Sequence, residues 1–285
     1  MNREQQLYLL GRSTYFASRD DQRFPFCLYV PEAAARSALA EGRRLPLAVI
    51  VHGTDRAVEL YRETFIPFAD RTGCALLLPL FPAGIGEEGE LHGYKYLVFH
   101  GVHYDQVLLA MVEQAAEMVP IDPQRFLLTG FSGGGHFTHR FLYAHPERLA
   151  AAAVGAPGIV TLLDAGRNWP AGVAGAERVI GRAVDPAAVA KVPIQLAVGG
   201  ADTETWEIGA APHEPFFIAG VNDVGVDRQS RMLALRDSLE AAGATVRHDV
   251  VPGASHDAVL VFPVVLDFFT EVVTASKAPA PGGAA

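Results

Sequence analysis

A chain of 285 residues, half of them hydrophobic, is long enough to bury a sizeable core as one large α/β domain. Its formal charge of −9, with no cluster of Lys and Arg, argues against a nucleic-acid or polyanion surface. Two cysteines are too few for a disulfide framework; Cys27 and Cys74 lie in strand-like apolar stretches and read as small core residues. Leu7 to Leu10 is too short for a secretory signal and no segment approaches a membrane span, so a soluble cytoplasmic protein is expected.

In chain order, strands are expected over Tyr8 to Ala17 and Phe24 to Val30, parted by the polar turn at Ser18 to Gln22. The alanine-rich stretch Pro31 to Arg43 favours helix, and Leu45 to Val51 is a continuous apolar run, the mark of a strand covered on both faces. Helical spacing follows over Leu60 to Arg71, a stop at Gly73, and a second buried run over Ala75 to Phe81. After the glycine-rich loop Ala83 to Gly93, an amphipathic helix spans about Tyr104 to Val119, ended by Pro120 and Pro123. Further strands are expected at Arg125 to Thr129, Leu149 to Val154, Val192 to Val198 and Thr245 to Val251. Helices are expected at Gly135 to Tyr143, Arg228 to Ala242 and Phe262 to Ala275. This alternation predicts a mostly parallel sheet with helices on both faces. Two insertions interrupt it, Gly158 to Lys191 and Thr203 to Asp227, and the tail from Ser276 to Ala285 is low in bulky residues and expected to be disordered.

The chemistry centres on Gly130-Phe131-Ser132-Gly133-Gly134, placed between an apolar strand and a helix. At such a turn a serine is forced into a strained backbone with its hydroxyl lifted clear, and the flanking glycines remove Cβ atoms that would collide. A hydroxyl needs a base to become a nucleophile, and ligands in open parallel sheets bind at the carboxyl ends of strands. Asp202 follows one strand in Gly199-Gly200-Ala201-Asp202, and His256 follows another in Pro252-Gly253-Ala254-Ser255-His256. The chain order is nucleophile, acid, base. Glu204 and Asp223 are the alternative acids, and Ser132 and His256 each have a plainer reading, as a helix-capping turn serine and a solvated loop histidine.

On these residues the chain resembles the α/β-hydrolase superfamily over roughly Tyr8 to Val273, with Gly130 to Gly134 matching its Gly-x-Ser-x-Gly elbow. Gly133 to Pro157 resembles esterases of the polyhydroxybutyrate-depolymerase and feruloyl-esterase kind. The His-Gly pair that helps build the oxyanion hole in this superfamily is matched by His52-Gly53-Thr54, which makes the amides of Thr54 and Gly133 the expected oxyanion donors. The His52 side chain reads as a structural hydrogen-bonder.

Both insertions are expected to roof the pocket. Their rings, Trp169, Trp206, Phe216 and Phe217, either fasten the insertions to the core or form an apolar acyl or aromatic subsite. His136 is a further pocket candidate, His139 is expected to be packed or exposed, and Asp105 reads as a carboxylate favoured in the first turn of its helix. His92, His100 and His103 lack a carboxylate or cysteine to complete a ligand set, so neither metal nor cofactor is expected. The resulting expectation is a serine hydrolase acting on a small-molecule carboxylic ester; an amidase, peptidase or carbamate hydrolase with the same triad, or a non-catalytic binding protein on this fold, are the alternatives.

Overall fold

The structure, a computed structural model, describes residues 9–277. Strands β1 (Gly11–Arg12), β2 (Phe16–Ala17) and β3 (Pro25–Val30) open it. The strand expected over 8–17 is thus two short pieces, each antiparallel to β3, and Tyr8 lies outside the described residues. Ser13 makes the break: its N–H donates to the Leu28 carbonyl and its hydroxyl accepts from the Leu28 N–H, taking the partners a continuous strand would use.

Helix α1 (Glu32–Glu41), strand β4 (Leu47–Val51), helix α2 (Val58–Thr72) and strand β5 (Ala75–Pro79) follow. All residues of β4 and β5 are buried, which is why their sequences are apolar without alternation. Gly73 closes α2 at φ 72°, a left-handed conformation that glycine adopts without a Cβ penalty. A short 3-10 turn at Gly93–Tyr96 leads into the hairpin β6 (Val98–Phe99) and β7 (Val102–His103), then helix α3 (Tyr104–Met118). Asp105 does lie in the first turn of α3, but it is fully buried and accepts from His145 Nε2 at 2.7 Å.

The elements that carry the site are β8 (Phe126–Phe131), α4 (Gly133–Ala144), β9 (Leu149–Gly155), β10 (Ile194–Gly199), α7 (Arg228–Ala241), β11 (Val246–Val251) and α8 (Ala258–Lys277). Two short helices, α5 (Glu177–Ile180) and α6 (Pro186–Val189), lie in the first insertion. The sheet has nine strands in the order β1-β3-β5-β4-β8-β9-β10-β11, with β2 also on β3. From β5 to β11 every pairing is parallel; β3 runs antiparallel to β5.

Alanines 150–153 form a strand despite their helical preference because α4 packs close over β9. A Cβ on Gly135 of α4 would meet the Gly155 carbonyl oxygen at 2.2 Å. Helix α8 begins at Ala258, four residues before the expected start at Phe262, and continues through Ser276 to Lys277. Those two residues are therefore helical and not part of a disordered tail; 278–285 lie outside the described residues. Contrary to the expectation that no segment could span a membrane, Ala258–Ser276 is long and apolar enough by length and composition, with a mean hydropathy of 1.9. In this fold α8 packs against α2, β9 and β10, burying Val261, Phe262, Val265 and Phe269.

Candidate active site

Ser132 joins β8 to α4 at φ 55° and ψ −112°, a conformation that non-glycine residues rarely adopt. Its N–H donates to the Gly155 carbonyl at 2.8 Å, tying the turn to β9. The glycines around it are required by backbone contacts. A Cβ on Gly130 would lie 2.5 Å from the carbonyl carbon of Gly134, and one on Gly134 would lie 2.2 Å from the Val51 oxygen. Gly134→Ala is therefore expected to destabilise the fold by about 3 kcal/mol or more, because the central strand β4 cannot yield to the added methyl. A urea-unfolding midpoint equal to wild type would refute this.

Asp202 is fully buried in the turn after β10. Its Oδ2 accepts from His256 Nδ1 at 2.7 Å, and its Oδ1 accepts from Arg228 Nη1 at 3.2 Å. The loop carrying His256 folds onto the end of β10: Ala201 N–H donates to Ala254 at 2.8 Å, and a Cβ on Gly199 would lie 2.3 Å from the carbonyl oxygens of Ala254 and Ser255. With Nδ1 donating to Asp202, the lone pair of His256 lies on Nε2. That nitrogen is buried and, among the described residues, without a hydrogen-bond partner. His256 and Ser132 line one cleft of about 290 Å³. The imidazole is held there between the ring of Phe131, 4.8 Å away centroid to centroid, and the edge of Trp206, 5.6 Å away.

The alternative acids are engaged elsewhere or exposed. Glu204 accepts from the Trp206 indole N–H, and Asp223 is exposed within the second insertion. Arg228 is fully buried; besides Asp202 it donates to the Trp206 carbonyl at 2.8 Å, and its guanidinium stacks 5.0 Å from the Trp206 ring. Sequence reasoning misses this residue, although an arginine in the first turn of a helix opposes the helix dipole and signals a specific partner.

Thr54 and Gly133 come together beside the serine: a Cβ on Gly133 would lie 3.1 Å from the Thr54 nitrogen. Among the described residues no hydrogen bond occupies either amide N–H. Tyr94, also missed by the sequence reasoning, closes the other side. Its hydroxyl donates to the His52 carbonyl at 3.2 Å and leaves no room for a side chain at position 133. His52 itself donates from Nδ1 to Gly53 at 2.7 Å and accepts the Phe81 N–H on Nε2 at 2.9 Å. Burial pushes its pKa down to about 3, so it is a neutral strut.

A second cleft, of about 490 Å³, adjoins the first. His136, one helical turn after Ser132, lines it, as does Phe216, stacked on Tyr96 with centroids 3.7 Å apart. Trp169 and Phe217, expected at the pocket, line neither cleft. Trp169 is half-buried against the core in a tight fold of its own segment, where its backbone N–H donates to the Ala174 carbonyl at 2.9 Å, and Phe217 faces solvent beside the inward-facing Phe216. The second insertion thus supplies cleft walls, whereas of the first only Ile159 reaches one. That first segment is clamped from below. His136 Nε2 accepts the Ile159 N–H at 2.6 Å, His139 Nε2 accepts the Thr161 N–H at 3.0 Å, and the buried Arg140 donates to the Thr161 hydroxyl at 2.9 Å.

Among the described residues no group of three or more His, Cys, Asp or Glu could hold a metal. His100 pairs with Glu87 at 2.9 Å, His103 lies 4.0 Å from Asp105, and His92 Nδ1 accepts from Lys95 Nζ at 2.8 Å.

No family model and no curated protein matches the chain. Its structure is similar to several solved ones. Poly(aspartic acid) hydrolase-1 from Sphingomonas sp. KT-1 superposes with a TM-score of 0.69 at 18% identity, covering 90% of this chain and 97% of that one. A poly(3-hydroxybutyrate) depolymerase from Bordetella parapertussis gives 0.67 at 23% identity, covering 95% and 92%. An S-formylglutathione hydrolase from Agrobacterium tumefaciens gives 0.61 at 16% identity, covering 93% and 98%. The parallel sheet, the strained turn after β8 and these whole-length likenesses together establish that the chain has the α/β-hydrolase fold.

Proposed function

We propose that the protein is a serine hydrolase that cleaves a carboxylic ester through Ser132, His256 and Asp202. The observation that carries this reading is a histidine whose Nδ1 is held by a buried aspartate at 2.7 Å, whose Nε2 has no partner among the described residues, and which lines one cleft with a strained serine. In the reaction, His256 Nε2 takes the Ser132 proton as Oγ attacks the ester carbonyl carbon. Asp202 keeps the proton on Nδ1 and stabilises the imidazolium. The carbonyl π electrons move onto oxygen, which lies against the amides of Thr54 and Gly133; each such donor contributes about 3 kcal/mol at the transition state. Collapse expels the alcohol, which takes the proton from His256, and water repeats the sequence on the acyl-enzyme. Leu60, Tyr61, Phe131, Trp206 and Val259 line the cleft, which favours an apolar acyl or aromatic group.

A fluorophosphonate probe is expected to label Ser132, and p-nitrophenyl esters of graded chain length should turn over far faster than matched anilides. Absence of labelling sinks the hydrolase reading, and faster anilide turnover sinks ester preference. Asp202→Asn is expected to lower kcat by about ten-thousandfold, less than loss of the base itself. Near-full activity would move the acid to Glu204 or Asp223.

A further inference from the structure

Lys95 lies beside the elbow, with its Cε 3.0 Å from where a Gly133 Cβ would sit, and it lines the larger cleft. It is 3% exposed. One of its three N–H groups goes to His92 Nδ1 at 2.8 Å, and the ammonium forms an ion pair with Glu207 Oε2 at 3.7 Å, beyond hydrogen-bond distance. His136 lines the same cleft and is 4% exposed. Because its Nε2 accepts the Ile159 N–H, its proton is on Nδ1, and that buried donor has no partner among the described residues. Burial holds this imidazole neutral. A buried donor without a partner is costly and uncommon, so the His136 Nδ1–H, bordering the same cavity as the Lys95 ammonium, points to an acceptor brought by a ligand.

The charges around the cleft narrow the choice. Five glutamates line it, Glu87, Glu88, Glu90, Glu207 and Glu214, against one lysine and two histidines. Glu90 is already committed to the N–H groups of His92 and Gly93, and Glu214 to that of Ala211 at 2.6 Å. His92 is pushed towards its neutral form by burial and by Lys95. The net field is negative and repels a polyanion. A neutral oxygen, by contrast, is not repelled and can accept from Lys95 Nζ and His136 Nδ1. Glu207 joins this cleft to the first, since it accepts from the Thr54 hydroxyl at 3.3 Å while facing Lys95.

We infer that the larger cleft is a second substrate subsite, in which Lys95 Nζ and His136 Nδ1 donate to a neutral carbonyl or hydroxyl oxygen on the arm of the substrate remote from the scissile bond. This rests on Ser132 being the nucleophile. It makes Lys95 and His136 specificity-determining residues and selects esters that carry a second oxygen function over plain hydrocarbon ones.

The test compares p-nitrophenyl esters bearing a ketone at successive acyl positions with their methylene isosteres, and repeats the pairs with the ketone in the alcohol arm. At one position the oxo ester is expected to exceed its isostere in kcat/KM by about tenfold, the worth of one good hydrogen bond. Lys95→Met should bring that ratio to about one. Ratios near one at every position in the wild type, or a preference that survives in Lys95→Met, overturn the proposal. A second measurement does not depend on the lysine variant folding. In Ser132→Ala, which keeps both donors, the His136 imidazole N–H resonance should shift on adding the preferred oxo ester and ignore the isostere; equal responses overturn the subsite. Fluorophosphonate labelling of the wild type is read in parallel. Its absence marks failure of the nucleophile assignment, while the resonance shift still judges the subsite by itself.

Discussion

Ser132→Ala and His256→Ala are each expected to lower ester turnover by about a millionfold, with no further loss when the two are combined. The reason is that neither residue acts alone. On the proposed mechanism the hydroxyl attacks only as its proton leaves, and the imidazole Nε2, without a partner among the described residues, is the acceptor. Residual activity in both variants would come from the Thr54 and Gly133 amides and from substrate binding. Ser132→Ala should also abolish fluorophosphonate labelling while leaving the unfolding free energy within about 1 kcal/mol of wild type, because the removed group borders the cleft and no core volume changes. Additive losses in the double variant, measured by single-turnover kinetics, would mean that the two side chains serve separate steps.

Acid should unfold the protein steeply, and histidines are the reason. His52, His136 and His139 are buried and held neutral, His52 with its pKa down to about 3 and the other two well below their ordinary range, chiefly by desolvation. In the unfolded chain each titrates near 6.5. Below about pH 6.5 the unfolded state therefore binds protons at these three rings that the folded state resists. Stability is full above about pH 6.5 and is lost as pH falls, at up to about 1.4 kcal/mol per pH unit for each ring while it stays neutral in the folded state. Together, such slopes exhaust a typical stability of about 5–15 kcal/mol within a few units. The hydrogen bonds explain why no single histidine can escape by protonating. His52 and His139 each donate from one ring nitrogen and accept a backbone N–H on the other, and His136 accepts the Ile159 N–H, so a second proton would collide with a donor. Urea midpoints at pH 7, 6 and 5 check this; a flat profile over that range would mean the rings are charged in the folded state.

The central strands are legible because burial on both faces leaves a continuous apolar run, as in Leu47–Val51 and Phe126–Phe131. The candidate triad is legible for a related reason: each member follows a strand, Ser132 and Asp202 after the buried β8 and β10 and His256 after the half-buried edge strand β11, so strand direction brings them to one edge. The features that escape the sequence depend on contacts between distant segments or on caps. The break at Ser13 is made by Leu28, fifteen residues on. The early start of α8 is set by Asp257, whose carboxylate accepts the N–H groups of Val259 and Leu260 at 2.8 and 3.3 Å; that capping signal is present in the sequence. Trp169 and Phe217 cannot be told from Trp206 and Phe216, since turn-rich segments have no periodicity to say which way a ring faces. Arg228, Tyr94 and Lys95 reach the site from a helix start and a 3-10 turn, and only folding reveals their neighbours.

The clamp that His136, His139 and Arg140 exert on Ile159 and Thr161 fixes one edge of the larger cleft, where Ile159 lines it. Ile159 and Thr161 are thereby tied to the helix that follows Ser132. The stretch from Trp206 to Phe216 is moored instead to Arg228 and Tyr96, so the two flanks of the cleft mouth hang from different elements of the fold.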